Sequence, residues 1–176
     1  MNSQTKHSLI ERMTGAARLD VHTFEEVEAD TTATTQAFIV VVLVALATGI
    51  AYLGIIGVGG LISGVLTAII GWAIWAGIIY LIGTKLLPSP ETHADWGQVA
   101  RTMGFAQSPG VLKVLGFIPV IGGLIFIAVS LWQIVAMVIA VRQALDYTST
   151  WRAVGVVLLG FIPYAIFMYT FVVLLG

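Results

Sequence analysis

Four acidic side chains near the N-terminus form the densest group of residues that could do chemistry: Glu25, Glu26, Glu28 and Asp30. Glu26 and Asp30 are four residues apart, so a helix would place both carboxylates on one face, where their oxygens could hold a divalent cation. The whole group could also dock a basic partner. A simpler interpretation is that these acids solvate a loop and complement the positive N-terminal end of the first membrane span. We favour the simpler interpretation, keep docking as a hypothesis and predict no metal.

Residue types that usually carry catalysis do not occur here in catalytic arrangements. The chain has no cysteine, and His7, His22 and His93 lack the spacing of metal-binding motifs such as HExxH. Ser63 lies in an apolar stretch without a histidine or lysine that could act as its base. The glycine-rich segment 54–60 is not followed by the lysine of a phosphate-binding loop. We therefore expect no catalytic residue, no cofactor and no enzymatic activity.

The basic side chains form a second group of candidate functional residues, as possible contacts for lipid headgroups. They are Lys6, Arg12, Arg18, Lys85, Arg101, Lys113, Arg142 and Arg152. Whether they can reach lipid depends on the helices that carry them. The composition indicates that these helices lie in a membrane, because 59% of the 176 residues are hydrophobic and 10% are charged. In soluble domains roughly a quarter of the residues carry charge.

Long uncharged stretches locate the membrane spans. No charged residue occurs in 31–84, 114–141 or 153–176. A crossing helix needs ~20 residues, so the first stretch has room for two spans and the last for one. The middle stretch could hold one span or a hairpin. A hairpin that turns at Pro119, Gly122 and Gly123 brings all the basic residues to one side, as the positive-inside rule requires.

The sequence therefore predicts an all-α integral membrane protein, a bundle of about five transmembrane helices. The spans are expected at about 36–55, 61–83, 110–121, 124–142 and 153–175. Residues 1–35 form a cytoplasmic N-terminal amphipathic and acidic segment, residues 36–176 form the transmembrane domain, residues 84–109 are a cytoplasmic loop, and the C-terminus lies outside. The third leg has only about twelve residues, or ~18 Å of helix, so we expect it to be short or partly re-entrant.

Two capping boxes predict helices in the N-terminal segment. Ser8 with Glu11 opens an amphipathic helix that would lie under the membrane, with its cations near lipid headgroups. Thr23 with Glu26 opens a second, acidic helix.

Glycine and proline predict features of the spans themselves. Gly60, Gly64 and Ala68 recur every four residues, which predicts close packing between helices. The segment LGFIP occurs at 115–119 and again at 159–163, so Pro119 and Pro163 are possible helix breaks.

Four segments resemble the characteristic segments of a protein family: RLDVHTFEEVEADTTATTQAF (18–38), GWAIWAGIIYLIGTKLL (71–87), RTMGFAQSPGVLKVLGFIP (101–119) and SLWQIVAMVIAVRQALDYTSTWRAV (130–154). With them the chain resembles the YIP family of small five-span membrane proteins, and most of all its bacterial branch. The resemblance implies a membrane protein related to eukaryotic members that bind Rab-type GTPases and help to shape or sort membranes. The Asp-Leu-Tyr-Gly-Pro motif of some of those members is absent here.

These observations predict a non-enzymatic membrane scaffold or adaptor that acts through helix packing and through contacts of its cytoplasmic face. The alternatives are a lipid-binding, transport or permeation protein and an accessory subunit of a larger membrane complex. The expected partners are membrane lipid and other membrane proteins or further copies of the chain, with no nucleic acid. The expected location is the bacterial cytoplasmic membrane.

Overall fold

The computed structural model describes residues 7–175, which form helices joined by short loops and contain no strand. Seven α-helices occur in this range: α1 (Leu9–Ala17), α2 (Val21–Ala29), α3 (Ala33–Ala51), α4 (Leu53–Leu81), α5 (Trp96–Ala106), α6 (Gly122–Ala144) and α7 (Thr150–Leu175). A π-helical turn (Ile82–Leu86) follows α4, and a 3-10 helix (Ser108–Phe117), here called the 3-10 leg, follows α5. Four helical stretches are long and apolar enough to span a membrane: Ala33–Ala51, Leu53–Leu86, Gly122–Ala144 and Thr150–Phe171. The prediction of an all-α membrane protein is confirmed.

The short third leg of the prediction corresponds to the 3-10 leg, which runs alongside α3. Gly104 lies against Ala37, Gly110 against Val44 and Gly116 against Ala51. A 3-10 helix rises ~2.0 Å per residue, so ten residues extend about 20 Å. Together with the end of α5, this leg reaches from the first turns of α3 to its last residue.

Close backbone approach explains the glycines of this leg. A Cβ at Gly110 would lie 2.5 Å from Val44 Cγ1, and a Cβ at Gly122 would lie 2.1 Å from the carbonyl oxygen of Gly116. The turn between the 3-10 leg and α6 falls at Pro119 and Val120, where Val120 has a φ of 71°, and α6 begins at Gly122. The predicted hairpin turn is therefore present.

Two predicted breaks differ from the structure. Segment 54–60, where the first predicted span ends and the second has not yet begun, belongs to α4, and only Gly57 leaves helical geometry there, with a φ of 64°. Pro163 lies inside α7, which continues through it, so no helix ends there. In both cases the chain stays helical on either side of the break, because in lipid the backbone has to form its hydrogen bonds within the segment.

The segment predicted as an aqueous loop, 84–109, contains a packed helix. α5 begins with a capping box between Asp95 and Gln98, and every residue from Val99 to Ala106 is buried. Its sides contact α2, α3, α4 and α6. The loop prediction is wrong for this part, since Asp95 at the N-cap and Arg101 in the middle of α5 make an otherwise apolar helix look polar.

The basic residues mark the two ends of the bundle. Arg101, Arg142 and Arg152 lie at the end that carries α2 and the loop after the π-helical turn, here called the basic end. Lys113 does not: its Nζ lies 4.6 Å from the ring centre of Phe126, whose ring contacts Tyr52 beyond the last residue of α3. The expectation that all the cations share one side is wrong for Lys113, because the 3-10 leg carries it toward the far end.

Candidate functional site

The N-terminal segment is joined to the bundle by a buried arginine. Arg12 is 2% exposed. Its Nε and Nη2 donate to Glu26 Oε1 at 3.0 and 2.8 Å, its Nη2 donates to Asp30 Oδ2 at 2.7 Å, and its Nη1 donates to Gln36 Oε1 at 2.8 Å. His7 also contacts the Glu26 carboxylate. These five residues, here called the Arg12 cluster, join α1, α2 and α3.

Glu26 and Asp30 are the two acids that could have held a divalent cation. In the structure both of them bind the guanidinium of Arg12 instead. Burial alone would raise the pKa of Glu26, but the hydrogen bonds from His7 and Arg12 outweigh it and lower that pKa. The pKa of His7 is raised by its hydrogen bond to Glu26. Within residues 7–175 no three histidine, aspartate or glutamate side chains come together as in a metal site. Both carboxylates serve contacts within the chain.

A second buried arginine joins α5 to α2. Arg101 is 5% exposed, and its Nε and Nη2 donate to the carbonyl oxygens of Val27 and Glu28 at 3.0 and 2.5 Å. These carbonyls belong to the last turn of α2, where a cation is favourable. Arg101 therefore stabilises the C-terminal end of α2.

Glu28 is half-buried beside this contact. Its carboxylate accepts a hydrogen bond from Gln98 Nε2 at 3.1 Å. Burial and the nearby Asp146 raise the pKa of Glu28 to about 7, although Arg101 acts in the opposite direction. Glu28 can therefore change its charge near neutral pH at the contact between α2 and α5.

Of the four acids proposed for docking, Glu25 is the exposed one. Its Oε1 accepts a hydrogen bond from Gln143 Nε2 of α6 at 3.1 Å, and its Oε2 lies 3.4 Å from Nδ1 of His22. Val21 is also exposed on this surface. Docking by this segment stays a prediction, now narrowed to the surface around Glu25.

The cations proposed for headgroup contact divide into three groups. Lys6 lies outside the described residues. Arg12 and Arg101 are buried and bind groups of the protein, so their guanidinium groups do not face headgroups. Arg18, Lys85 and Arg152 are exposed; Arg142 and Lys113 are half-buried.

Two of these cations donate to loop carbonyls, one in the loop after α6 and one in the loop after the π-helical turn. Arg142 Nε donates to the carbonyl oxygen of Tyr147 at 3.2 Å, and Arg152 Nη1 donates to that of Pro88 at 2.9 Å. Headgroup contact stays a prediction for the exposed members.

The N-terminal helices differ in part from their predicted caps. The capping box of Ser8 and Glu11 is present. The box predicted for Thr23 and Glu26 is wrong: Asp20 is the N-cap of α2, and Thr23 instead donates its hydroxyl to Asp20 Oδ2 at 2.8 Å. Glu26 is turned toward Arg12, so it cannot also cap the helix.

α1 also packs on protein. It contacts α2, α5 and the 3-10 leg, and its Ala17 carbonyl accepts a hydrogen bond from Trp132 Nε1 of α6 at 2.8 Å. Ile10 stays 75% exposed. The helix therefore buries one face against the bundle and leaves the other outside.

An apolar cavity of about 630 Å³ lies between the spans. Residues of α3, α4, α6 and α7 line it, together with Gln107 at the start of the 3-10 leg. The small residues Gly60, Gly64 and Ala68 form part of the α4 wall, and a Cβ at Gly64 would meet no atom within 4 Å. The close helix packing predicted for Gly64 is therefore wrong, since this residue borders open space.

Most polar side chains that line the cavity form hydrogen bonds within the protein. Thr48 donates its hydroxyl to the Val44 carbonyl at 2.9 Å. Gln107 accepts hydrogen bonds from Gln133 Nε2 at its carbonyl and at its side-chain oxygen, at 3.1 and 2.8 Å. Gln133 thus bonds a neighbouring segment. The cavity consequently offers mainly hydrocarbon contacts.

Sequence reasoning missed this cavity and both buried arginines. Arg12 could have been found, because it lies between Leu9 and Ala16 on the apolar face of α1, where an arginine needs a partner. The cavity is harder to predict from the sequence, because glycines at four-residue spacing are equally typical of close contacts between helices.

The comparisons with known proteins agree with this architecture. The family described as the Yip1 domain matches residues 20–171, which include all four long apolar spans. No curated protein and no solved structure matches the chain. Because the family match covers most of the chain, the protein belongs to the Yip1 domain family and is an integral, multi-pass membrane protein.

Proposed function

We propose that this Yip1 domain protein is a membrane scaffold or adaptor that presents a folded surface, made by α1 and α2, to a partner at the basic end. The observation that carries the proposal is the pair of buried arginines. Arg12 ties α1 to α2 and α3, and Arg101 ties α2 to α5. A segment held in this way has one shape before any partner arrives.

The energetics favour a role in shape over a role in stability. A buried ion pair adds little to stability compared with apolar packing, whereas removal of one partner costs about 3–5 kcal/mol. An interaction of this kind selects one arrangement of α1 and α2. A preformed surface then binds without an ordering cost at the interface. Family membership supports a non-enzymatic role of this type.

The orientation forms part of the proposal. Apart from Lys113, the described cations belong to the N-terminal segment or to the basic end, and the positive-inside rule favours the cytoplasm for these regions. We therefore place the N-terminal segment in the cytoplasm and the far end of the bundle outside, in a bacterial cytoplasmic membrane.

A photo-crosslinking amino acid at position 25, introduced into the full chain in its native membrane, tests the scaffold role. Glu25 lies on the exposed surface of α2, and Glu91, which is exposed in the loop before α5, gives a matched control. We expect one discrete cross-linked protein from position 25 and none of that mass from position 91. If the probe at position 25 and a second probe at Val21 both cross-link only lipid and no protein, the proposal is contradicted.

Lipid binding is a second candidate function, and one observation favours it, the apolar cavity among the spans. Transport of ions is less well supported, because the sequence of the spans 33–51, 53–81 and 153–171 contains no charged residue, and ion pathways usually place one at depth.

A further inference from the structure

We propose that the cavity holds one acyl chain of an anionic phospholipid, and that Lys113 pairs with the phosphate of that lipid at the far end of the bundle. This inference rests on the second candidate function, lipid binding, and is independent of the scaffold role.

The shape of the cavity suits a single hydrocarbon chain. Its α4 wall extends from Ile56 to Trp75, about 28 Å along the helix axis. A volume of about 630 Å³ drawn out along that length has the elongated, apolar shape of a hydrocarbon chain.

The cavity is open to the bilayer at its side. Leu158 and Phe161 of α7 line it and are also 65% and 62% exposed, and Ile134 of α6 is 53% exposed. These side chains lie in spans, so the surface to which they are exposed is in contact with lipid. An acyl chain can enter sideways between α6 and α7 without crossing polar surface. Water is a poor occupant, because an apolar wall gives it too few hydrogen-bond partners.

Charge at the far end identifies the headgroup. Tyr52 lines the cavity and its ring contacts that of Phe126 at 6.0 Å, while Lys113 Nζ lies 4.6 Å from the centre of the same Phe126 ring. No carboxylate among residues 7–175 forms a salt bridge with Lys113. The flanking sequence, 31–84 and 114–141, is uncharged. A lone cation one aromatic ring away from the cavity favours a lipid with a net negative headgroup over a zwitterionic lipid, whose phosphate is already paired with its own cation.

Labelling by a photoreactive lipid tests the inference. Full-length protein is placed in phosphatidylcholine vesicles that contain a trace of phosphatidylglycerol with a photoreactive group on one acyl chain. The Gly64→Leu variant adds a side chain at the cavity wall, where a Cβ would meet no atom within 4 Å. Gly59→Leu is the matched control, because it lies on the same helix, also meets no atom within 4 Å, and does not line the cavity. Ala68→Leu is a second variant at the cavity wall, in case Gly64→Leu does not fold.

The expected result is labelling of α3, α4 or α7 at cavity residues in the wild type and in Gly59→Leu, with a loss of that labelling in Gly64→Leu and Ala68→Leu. Lys113→Gln should reduce labelling by phosphatidylglycerol about five-fold, and Lys85→Gln should not. Equal labelling of the folded cavity variants and the wild type would overturn the acyl-chain site. Equal labelling by a phosphatidylcholine probe, with no effect of Lys113→Gln, would overturn the phosphate contact. Cross-linking from Glu25 reports on the scaffold role separately.

Discussion

Replacing Arg12 by methionine should detach α1 and α2 from the bundle while the spans stay folded. The methionine keeps much of the apolar stem but removes the four hydrogen bonds that the guanidinium donates to Glu26, Asp30 and Gln36. Both carboxylates then lose their contact with the guanidinium, while Glu26 keeps its contact with His7.

The magnitude follows from the burial of the partners. Loss of one partner from a buried ion pair costs about 3–5 kcal/mol. The side chains of Glu26 and Asp30 keep 26% and 16% exposure, so water can solvate part of their charge once Arg12 is gone. The expected cost is therefore smaller, about 2–4 kcal/mol for the opening of α1 and α2.

Hydrogen exchange of the protein in lipid nanodiscs measures this opening directly. Because a tenfold change in an equilibrium constant corresponds to ~1.4 kcal/mol, amides of α1 and α2 should exchange roughly 30- to 700-fold faster in Arg12→Met, while amides of α6 stay unchanged. Arg18→Met is the control, since Arg18 is exposed at the end of the same helix and should change exchange little. Adding Glu26→Gln and Asp30→Asn to Arg12→Met should restore part of the protection. Exchange in Arg12→Met equal to the wild type would refute the role assigned to the cluster.

Three further predictions concern other parts of the molecule. The pKa of Glu28 is raised to about 7 in the fold, so the stability that protonated Glu28 contributes is lost as pH rises from its unfolded pKa of 4.5 through 7. The protection factors of α2 amides should therefore fall between about pH 5 and pH 8. The same fall in a Glu28→Gln variant would show that Glu28 is not the titrating group. Gly110→Ala should destabilise the protein by about 1–3 kcal/mol, because its Cβ would lie 2.5 Å from Val44 Cγ1, whereas Gly123→Ala meets no atom within 4 Å and should not lower the thermal midpoint; equal midpoints for the two variants would contradict the packing. Since the chain has no cysteine, a membrane-impermeant maleimide should label Gly123→Cys from outside and Lys85→Cys only after the membrane is opened, and the reverse pattern would invert the proposed orientation.

Much of the membrane architecture could be predicted because it depends on local properties. An uncharged stretch partitions into the bilayer by the sum of its residues, so the spans within 36–55 and 124–142 appear in the structure as α3 and α6. The hairpin turn at Pro119 to Gly123 could be predicted for the same reason, since proline and glycine act on their own backbone. The charge asymmetry alone could not place Lys113, because Lys113 is the sixth residue of a leg that runs away from the basic end.

The glycines of the third leg show a signal that was present in the sequence but not used. Gly110 and Gly116 of the 3-10 leg are six residues apart, and the same spacing separates them from Gly104 in α5 and Gly122 in α6. In a helix with three residues per turn this spacing returns to the same face, and Gly110 and Gly116 do face α3. The spacing thus indicates a 3-10 leg pressed against a neighbouring helix.

The amino-acid sequence by itself determined that the chain is helical, lies in a membrane, turns at Pro119 and belongs with the Yip1 domain proteins, because hydropathy, breakers and family signatures are properties of contiguous residues. Only the tertiary structure decided that Arg12 and Arg101 are internal, that α5 is buried and that the glycines of α4 border a cavity. Each of these depends on contacts between residues far apart in the chain, such as Arg101 with Val27. Whether a polar or small residue faces a partner, lipid or empty space is settled by the packing of neighbouring helices, which no local pattern encodes.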